Sequence, residues 1–91
     1  MRKEVDQKIR TILSEMTNQD LDLLGEDFVL TRDLGFDSIR FIALIVNIEN
    51  VFLINFDDKY LSIDKIDQYS LLLAYVCLMV SELKTNDSQS S

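Results

Sequence analysis

Ninety-one residues with sixteen Asp and Glu against nine Lys and Arg, a formal charge of −7, leave room for one small domain whose acidity disfavours a nucleic-acid backbone and favours partners with basic surfaces. No His occurs, so neither a Ser-His-Asp or Cys-His apparatus nor an imidazole metal site can be assembled from this chain, and self-contained catalysis is not expected. Cys77 is the single cysteine, which rules out an intramolecular disulfide, fits a reducing cytosol and reads, within Tyr75-Val76-Cys77-Leu78-Met79, as a small buried hydrophobe.

Met1-Arg2-Lys3-Glu4 is followed by a charged amphipathic stretch and not by an apolar h-region, so no secretory signal is expected. Val5, Ile9, Ile12, Leu13 and Met16 recur at helical spacing, with Lys3, Asp6, Lys8 and Arg10 mostly on other faces. Residues 3–16 are therefore predicted as an amphipathic first helix. Between Thr17 and Asp37 the periodicity weakens, and a connection of this length in a compact domain is functional or partly structured. Leu21, Leu24, Phe28, Val29 and Leu34 are expected to pin it to the core, with a short helical turn over residues 20–24. Asp20, Asp22 and Gly25 mimic the opening of a calcium loop, but Leu24 stands at the fifth position and Thr31 at the twelfth, where ligands are needed. These acids, with Glu26, Asp27, Asp33 and Asp37, read instead as a solvated acidic surface, and no metal site is expected.

The run Asp33-Leu34-Gly35-Phe36-Asp37-Ser38-Ile39 places one hydroxyl at the start of a long apolar helical segment. Gly35 permits a positive φ, so the chain can turn sharply ahead of the serine. Asp37 can then serve as N-cap, its carboxylate accepting a bond from a free amide two or three residues on, which puts Ser38 in the first helical turn. A phosphate ester on that oxygen would face free N–H groups and the positive end of the macrodipole, while Asp37 opposes added negative charge. The site suits a phosphodiester better than a doubly charged monoester.

The second helix is predicted from Ser38 to Phe52, a stretch without Gly or Pro. Almost every residue from Ile39 to Val46 except Arg40 is apolar, more than one core-facing stripe requires, which leaves some of Phe41, Ala43, Leu44 and Ile45 available to a partner if the rest are buried. Residues 57–61 read as a short helical turn. Asp67 is a reasonable N-cap for a last helix over residues 68–83, with Tyr69, Leu72, Leu73, Val76, Leu78, Met79, Val80 and Leu83 on its apolar faces and Lys84 at its favourable C-terminal end. The apolar run 71–80 is well short of a bilayer span. Residues 1–84 form the predicted domain, and the polar residues 85–91 are expected to be disordered. Four helices, with a long first loop and a short third helix, imply an all-α bundle.

The seven-residue run resembles the phosphopantetheine attachment signature of acyl and peptidyl carrier proteins, which usually reads Leu-Gly, one or two variable residues, then Asp-Ser-Leu. The resemblance covers roughly residues 3–83, with Glu49, Phe52, Phe56, Leu61, Ile66, Leu73 and Tyr75 in the order and approximate spacing of the family's later helices. One departure is the absence of Pro, which many carriers have soon after helix two.

The resemblance implies an acyl-carrier-protein-like four-helix fold and a non-catalytic carrier. A separate phosphopantetheinyl transferase would move 4'-phosphopantetheine from coenzyme A onto the Ser38 oxygen in a magnesium-dependent reaction, and the arm's thiol would hold acyl, aminoacyl or peptidyl cargo as a thioester. Gly35, Asp37 and Ile39 would surround the attachment point. Ile39, Arg40, Ala43, Asn47 and the 57–61 turn, Tyr60 included, would meet partner enzymes: the transferase, a cargo-loading ligase or acyltransferase, and condensing or downstream enzymes. A soluble cytoplasmic monomer is expected. Fatty-acid synthesis carriers line helix two with several acids, whereas Glu49 is the only acid in this stretch. That departure favours a discrete carrier in polyketide or nonribosomal peptide assembly over a fatty-acid carrier. An unmodified helical interaction protein is opposed by the intact Asp37-Ser38 pair, and a hydrolase using Ser38 by the missing base and missing flanking glycines.

Overall fold

The computed structural model describes residues 2–22, 24–56 and 66–90, the last seven of these by backbone alone. Among them stand four α-helices: α1 (Arg2–Thr17), α2 (Leu30–Leu34), α3 (Ser38–Phe52) and α4 (Tyr69–Ser90). No strand occurs among the described residues, only an isolated antiparallel bridge between Val29 and Gln68.

α1 buries Val5, Ile9 and Leu13, spaced four apart, so that one row faces the core. It packs on both α3 and α4. α3 contributes Phe41, Leu44, Ile45 and Ile48, and α4 contributes Tyr69, Leu72, Leu73 and Val76. Each such side chain, fully buried, favours folding by about 1.5–3 kcal/mol, which is how so small a chain offsets its ordering entropy. Both longer connections begin with a non-glycine residue in the left-handed region: Asn18 (φ 57°), whose amide donates to Ser14 O at 2.8 Å, and Leu53 (φ 57°), whose amide donates to Glu49 O. Cys77 is half-buried at the core's margin, and burial pushes its thiol up.

Two sequence expectations change. Arg10, off the apolar stripe of α1, is nonetheless buried: it is 8% exposed and grips the long connection from beneath. Its Nε donates to Asp6 Oδ1 at 2.8 Å, its Nη1 to the carbonyls of Leu21 and, at 2.7 Å, Leu24, and its Nη2 to that of Gly25 at 3.0 Å. The guanidinium lies over the rings of Tyr69 and Phe28, 5.1 and 5.8 Å from their centroids, and the two rings stack at 4.6 Å. Burial works most strongly against this charge, but the Asp6 bond together with the charges of Asp6, Tyr69 and Glu26 outweighs it, and the guanidinium is held above its ordinary pKa. Leu21, Phe28 and Leu34 do anchor the connection, whereas Leu24 is 38% exposed. Around residues 20–24 the recorded bonds are a turn's, Leu24 N to Leu21 O at 3.2 Å and Asp22 N to Asp20 Oδ1 at 3.0 Å.

Second, the Asp67 carboxylate does not turn to α4. It reaches back to α2, accepting from Thr31 N at 2.9 Å and Thr31 Oγ1 at 2.6 Å. Leu30 N to Asp67 O (2.8 Å) and Tyr69 N to Phe28 O (2.9 Å) complete the strap. The last helix runs to Ser90, with neither Gly nor Pro to interrupt it. The predicted turn at 57–61, with Tyr60, lies outside the described residues.

Candidate functional site

α2 is five residues long and has no side-chain cap from its own Val29. The amides at its start are satisfied by side chains from within and from afar: Val29 N by Asp33 Oδ2 of α2 itself at 2.7 Å, and Thr31 N by Asp67. The neighbouring Arg32 guanidinium, then the Val29 amide, hold the Asp33 carboxyl below its usual range, and Asp33 in turn raises Arg32. α2 ends at Gly35, φ 69° and ψ 26°, with the amides of Gly35 and Phe36 both donating to Leu30 O. A Cβ at Gly35 would meet nothing within 4 Å, so the glycine is required by its backbone angle and not by space.

Phe36 then enters the core, and Asp37 leaves it in extended conformation (φ −113°, ψ −176°). Asp37 Oδ1 accepts from Arg40 N at 2.8 Å while its carbonyl accepts from Phe41 N at 2.9 Å. This is the N-cap expected from the sequence. Ser38, the first residue of α3, is exposed, and among the described residues no partner occupies its hydroxyl. The amides of Ser38 and Ile39 lie in the first helical turn, where no intrahelical acceptor exists, so the hydroxyl sits beside two free donors at the positive end of a fifteen-residue helix.

Gly35, Asp37, Ser38 and Ile39 are thus brought to one corner, with Ile39 81% exposed. Arg40, Ala43 and Asn47 are exposed along α3. Asn47 leans toward α1, its Nδ2 3.9 Å from Met16 Sδ. Of the residues considered for exposure, Phe41, Leu44 and Ile45 are buried and only Ala43 is open. Ile42 (46%) and Val46 (48%) are exposed, although the sequence reading did not single them out. Their spacing of three and seven from Ile39 is the signal that was there to find. Glu49 is not a free acid on this face either, since its Oε2 accepts from Phe56 N at 2.8 Å.

Among the described residues no cluster of acids or cysteine is placed to hold a metal, and no helix is long and apolar enough to cross a membrane.

Residues 7–67, which include this corner, match the family described as phosphopantetheine attachment site. Over 75 residues the chain is 29% identical to an acyl carrier protein of Thermotoga maritima, an alignment covering 82% of this chain and 90% of that protein. The crystal structure of an acyl carrier protein from Thermotoga maritima superposes with a TM-score of 0.75 at 30% identity, covering 90% of this chain and 93% of that one.

Proposed function

We propose a function from one premise: this chain belongs to the phosphopantetheine attachment family of acyl carrier proteins, which bear a covalent 4'-phosphopantetheine and act as carriers. On that premise Ser38 is the residue that bears the arm. The observation that carries this reading is an exposed hydroxyl at the first position of α3, set there by the Gly35 turn and the Asp37 cap.

The residues present fit the group. The Ser38 oxygen is open to solvent, the amides of Ser38 and Ile39 are available to phosphate oxygens, and the single charge of a phosphodiester is the tolerable one beside Asp37. When bound, the group supplies a terminal thiol that holds cargo as a thioester. The chain's own part is positional: Asp37 fixes the first turn through the Arg40 amide, Gly35 reverses the chain, and buried Leu34 and Phe36 anchor the corner on either side of the glycine. The acyl transfers themselves belong to separate enzymes: a phosphopantetheinyl transferase, a loading ligase or acyltransferase, and condensing or downstream enzymes, met in the cytoplasm by a monomer. Arg40, Ala43, Asn47 and Tyr60 contribute to those encounters.

The carrier is a discrete one in polyketide or nonribosomal peptide assembly. Support comes from α3, whose lone acid Glu49 is engaged with the Phe56 amide, leaving no row of acids for the basic patches of fatty-acid enzymes. A fatty-acid synthesis carrier is the second reading, favoured by the similarity to an acyl carrier protein.

The experiment is intact mass after incubation with coenzyme A, magnesium and a broad-specificity phosphopantetheinyl transferase. The wild type should gain one phosphopantetheine and Ser38→Ala none. No gain under conditions that modify a control carrier overturns the assignment in favour of an unmodified interaction domain.

A further inference from the structure

α2 is too short to hold its own shape: five residues make little more than one helical turn, a costly nucleus with almost no propagation to follow. Burial of Leu30 and Leu34 keeps it against the core, but that force has no direction. Direction comes from hydrogen bonds to the approach to α4. Leu30 N donates to Asp67 O at 2.8 Å, Tyr69 N donates to Phe28 O at 2.9 Å, and the Asp67 carboxylate accepts from both the amide and the hydroxyl of Thr31. Thr31 is exposed, so water could satisfy its groups equally well; what Asp67 adds is a fixed orientation. Leu30 passes the constraint on. With its amide held by Asp67, its carbonyl accepts from the amides of Gly35 and, at 3.1 Å, Phe36. Asp37 and Ser38 follow directly, so a continuous run of hydrogen-bonded peptides joins Asp67 to the corner that bears the hydroxyl.

Resting on the reading of Ser38 as the attachment residue, we propose that Asp67 and Thr31 are positioning residues for its modification: acting through α2, they fix the orientation in which the corner presents the Ser38 oxygen. In that step the oxygen bonds to the phosphorus that carries the pantetheine of coenzyme A, the bond from that phosphorus to the second phosphate breaks, adenosine bisphosphate leaves, and the hydroxyl proton passes to a base of the transferase. In-line attack tolerates little misplacement of the attacking atom, so a slack α2 is felt in the chemical step. The exposed residues of α3 are untouched by the strap, so binding of the carrier is not what it governs.

The test follows modification of the full-length protein by a broad-specificity phosphopantetheinyl transferase with coenzyme A and magnesium, at a temperature where every variant is folded. Wild type is compared with Asp67→Ala, Asp67→Asn, Thr31→Ala and, as a control for lost stability alone, Val76→Ala, a core truncation on α4 outside the strap. Asp67→Ala should lower kcat about tenfold and leave KM for the carrier within about twofold of wild type. Thr31→Ala, which keeps the amide bond to Asp67 and loses the hydroxyl's, should lower kcat about threefold. Asp67→Asn keeps an acceptor oxygen and should return kcat to within about twofold of wild type, while Val76→Ala should match wild type. Hydrogen exchange at the Arg40 and Phe41 amides, both of which donate to Asp37, should speed up more in Asp67→Ala than in Val76→Ala.

An Asp67→Ala kcat no lower than that of Val76→Ala overturns the proposal, and so does a loss confined to KM, which would make Asp67 a contact for the transferase. Asp67→Asn as slow as Asp67→Ala also overturns it, since charge and not hydrogen bonding would then be what matters. Should Asp67→Ala fail to fold, Thr31→Ala at the wild-type kcat overturns it alone. A wild type that is never modified overturns the assignment of Ser38 itself, a result distinct from the others.

Discussion

Asp67 accepts two hydrogen bonds from Thr31, at 2.9 Å from the amide and 2.6 Å from the hydroxyl, and so ties the approach to α4 to the first turn of the helix that shapes the Ser38 corner. The pair is separated by thirty-six positions. It works as an N-cap delivered from outside the helix it caps.

Asp67→Ala should therefore destabilise the protein by about 1–2 kcal/mol, the range of a lost N-cap. Urea unfolding of Asp67→Ala, Thr31→Ala and the double variant checks this. The two single losses should not add, and additive losses would mean the two residues act independently.

Gly35→Ala should cost about 1–2 kcal/mol, because the penalty is conformational and no neighbour is displaced. Gly35→Asn, which tolerates the left-handed region better, should recover part of that loss. Thermal unfolding of the two variants decides the point; equal losses would show that something other than φ sets the requirement.

Arg10→Met removes four hydrogen-bond partners at once and leaves the carbonyls of Leu21 and Leu24 without the donors the wild type gives them. A loss of about 3 kcal/mol is expected, with Asp6 left uncompensated beneath Tyr69. Hydrogen exchange should rise in residues 18–29 before it rises in α1. Uniform acceleration across the chain would argue that Arg10 supports the bundle generally and not the connection.

Tyr69 should make stability fall at alkaline pH. Burial, and then the bond from its hydroxyl to Asp6 Oδ1 at 2.6 Å, push the phenol well above its ordinary pKa. Below about pH 10 both folded and unfolded chains keep the proton, so the contribution is complete. Above that the unfolded chain ionises first, and the contribution declines as pH climbs toward the folded value. Urea unfolding of wild type and Tyr69→Phe at about pH 8 and about pH 11 should show the gap between them narrowing; a constant gap would mean the phenol titrates alike in both states.

How much of this was readable in the sequence follows from where the determining contacts lie. α1 and α3 were legible because each carries its signal locally, α1 in apolar residues spaced three and four apart and α3 in a long stretch that neither Gly nor Pro interrupts. The corner at Ser38 was legible for the same reason: Gly35 and Asp37 act on residues no more than five positions away. α2 was not legible, since its amides are satisfied partly by a residue thirty-six positions on and its own Val29 cannot cap. Asp67 was assigned to the helix it precedes, because proximity in sequence is all that a cap motif reports. The grip of Arg10 was not legible because three of its four acceptors are backbone carbonyls, which leave no trace in residue type.

That same anchoring sets what the long connection may become. Arg10 holds carbonyl oxygens, and every amino acid carries one, so the grip is blind to side-chain identity at Leu24 and Gly25. The segment can change its surface chemistry freely while keeping its path, provided Leu21 and Phe28 stay in the core. Its outward side is thus open to variation without any matching change in the bundle below.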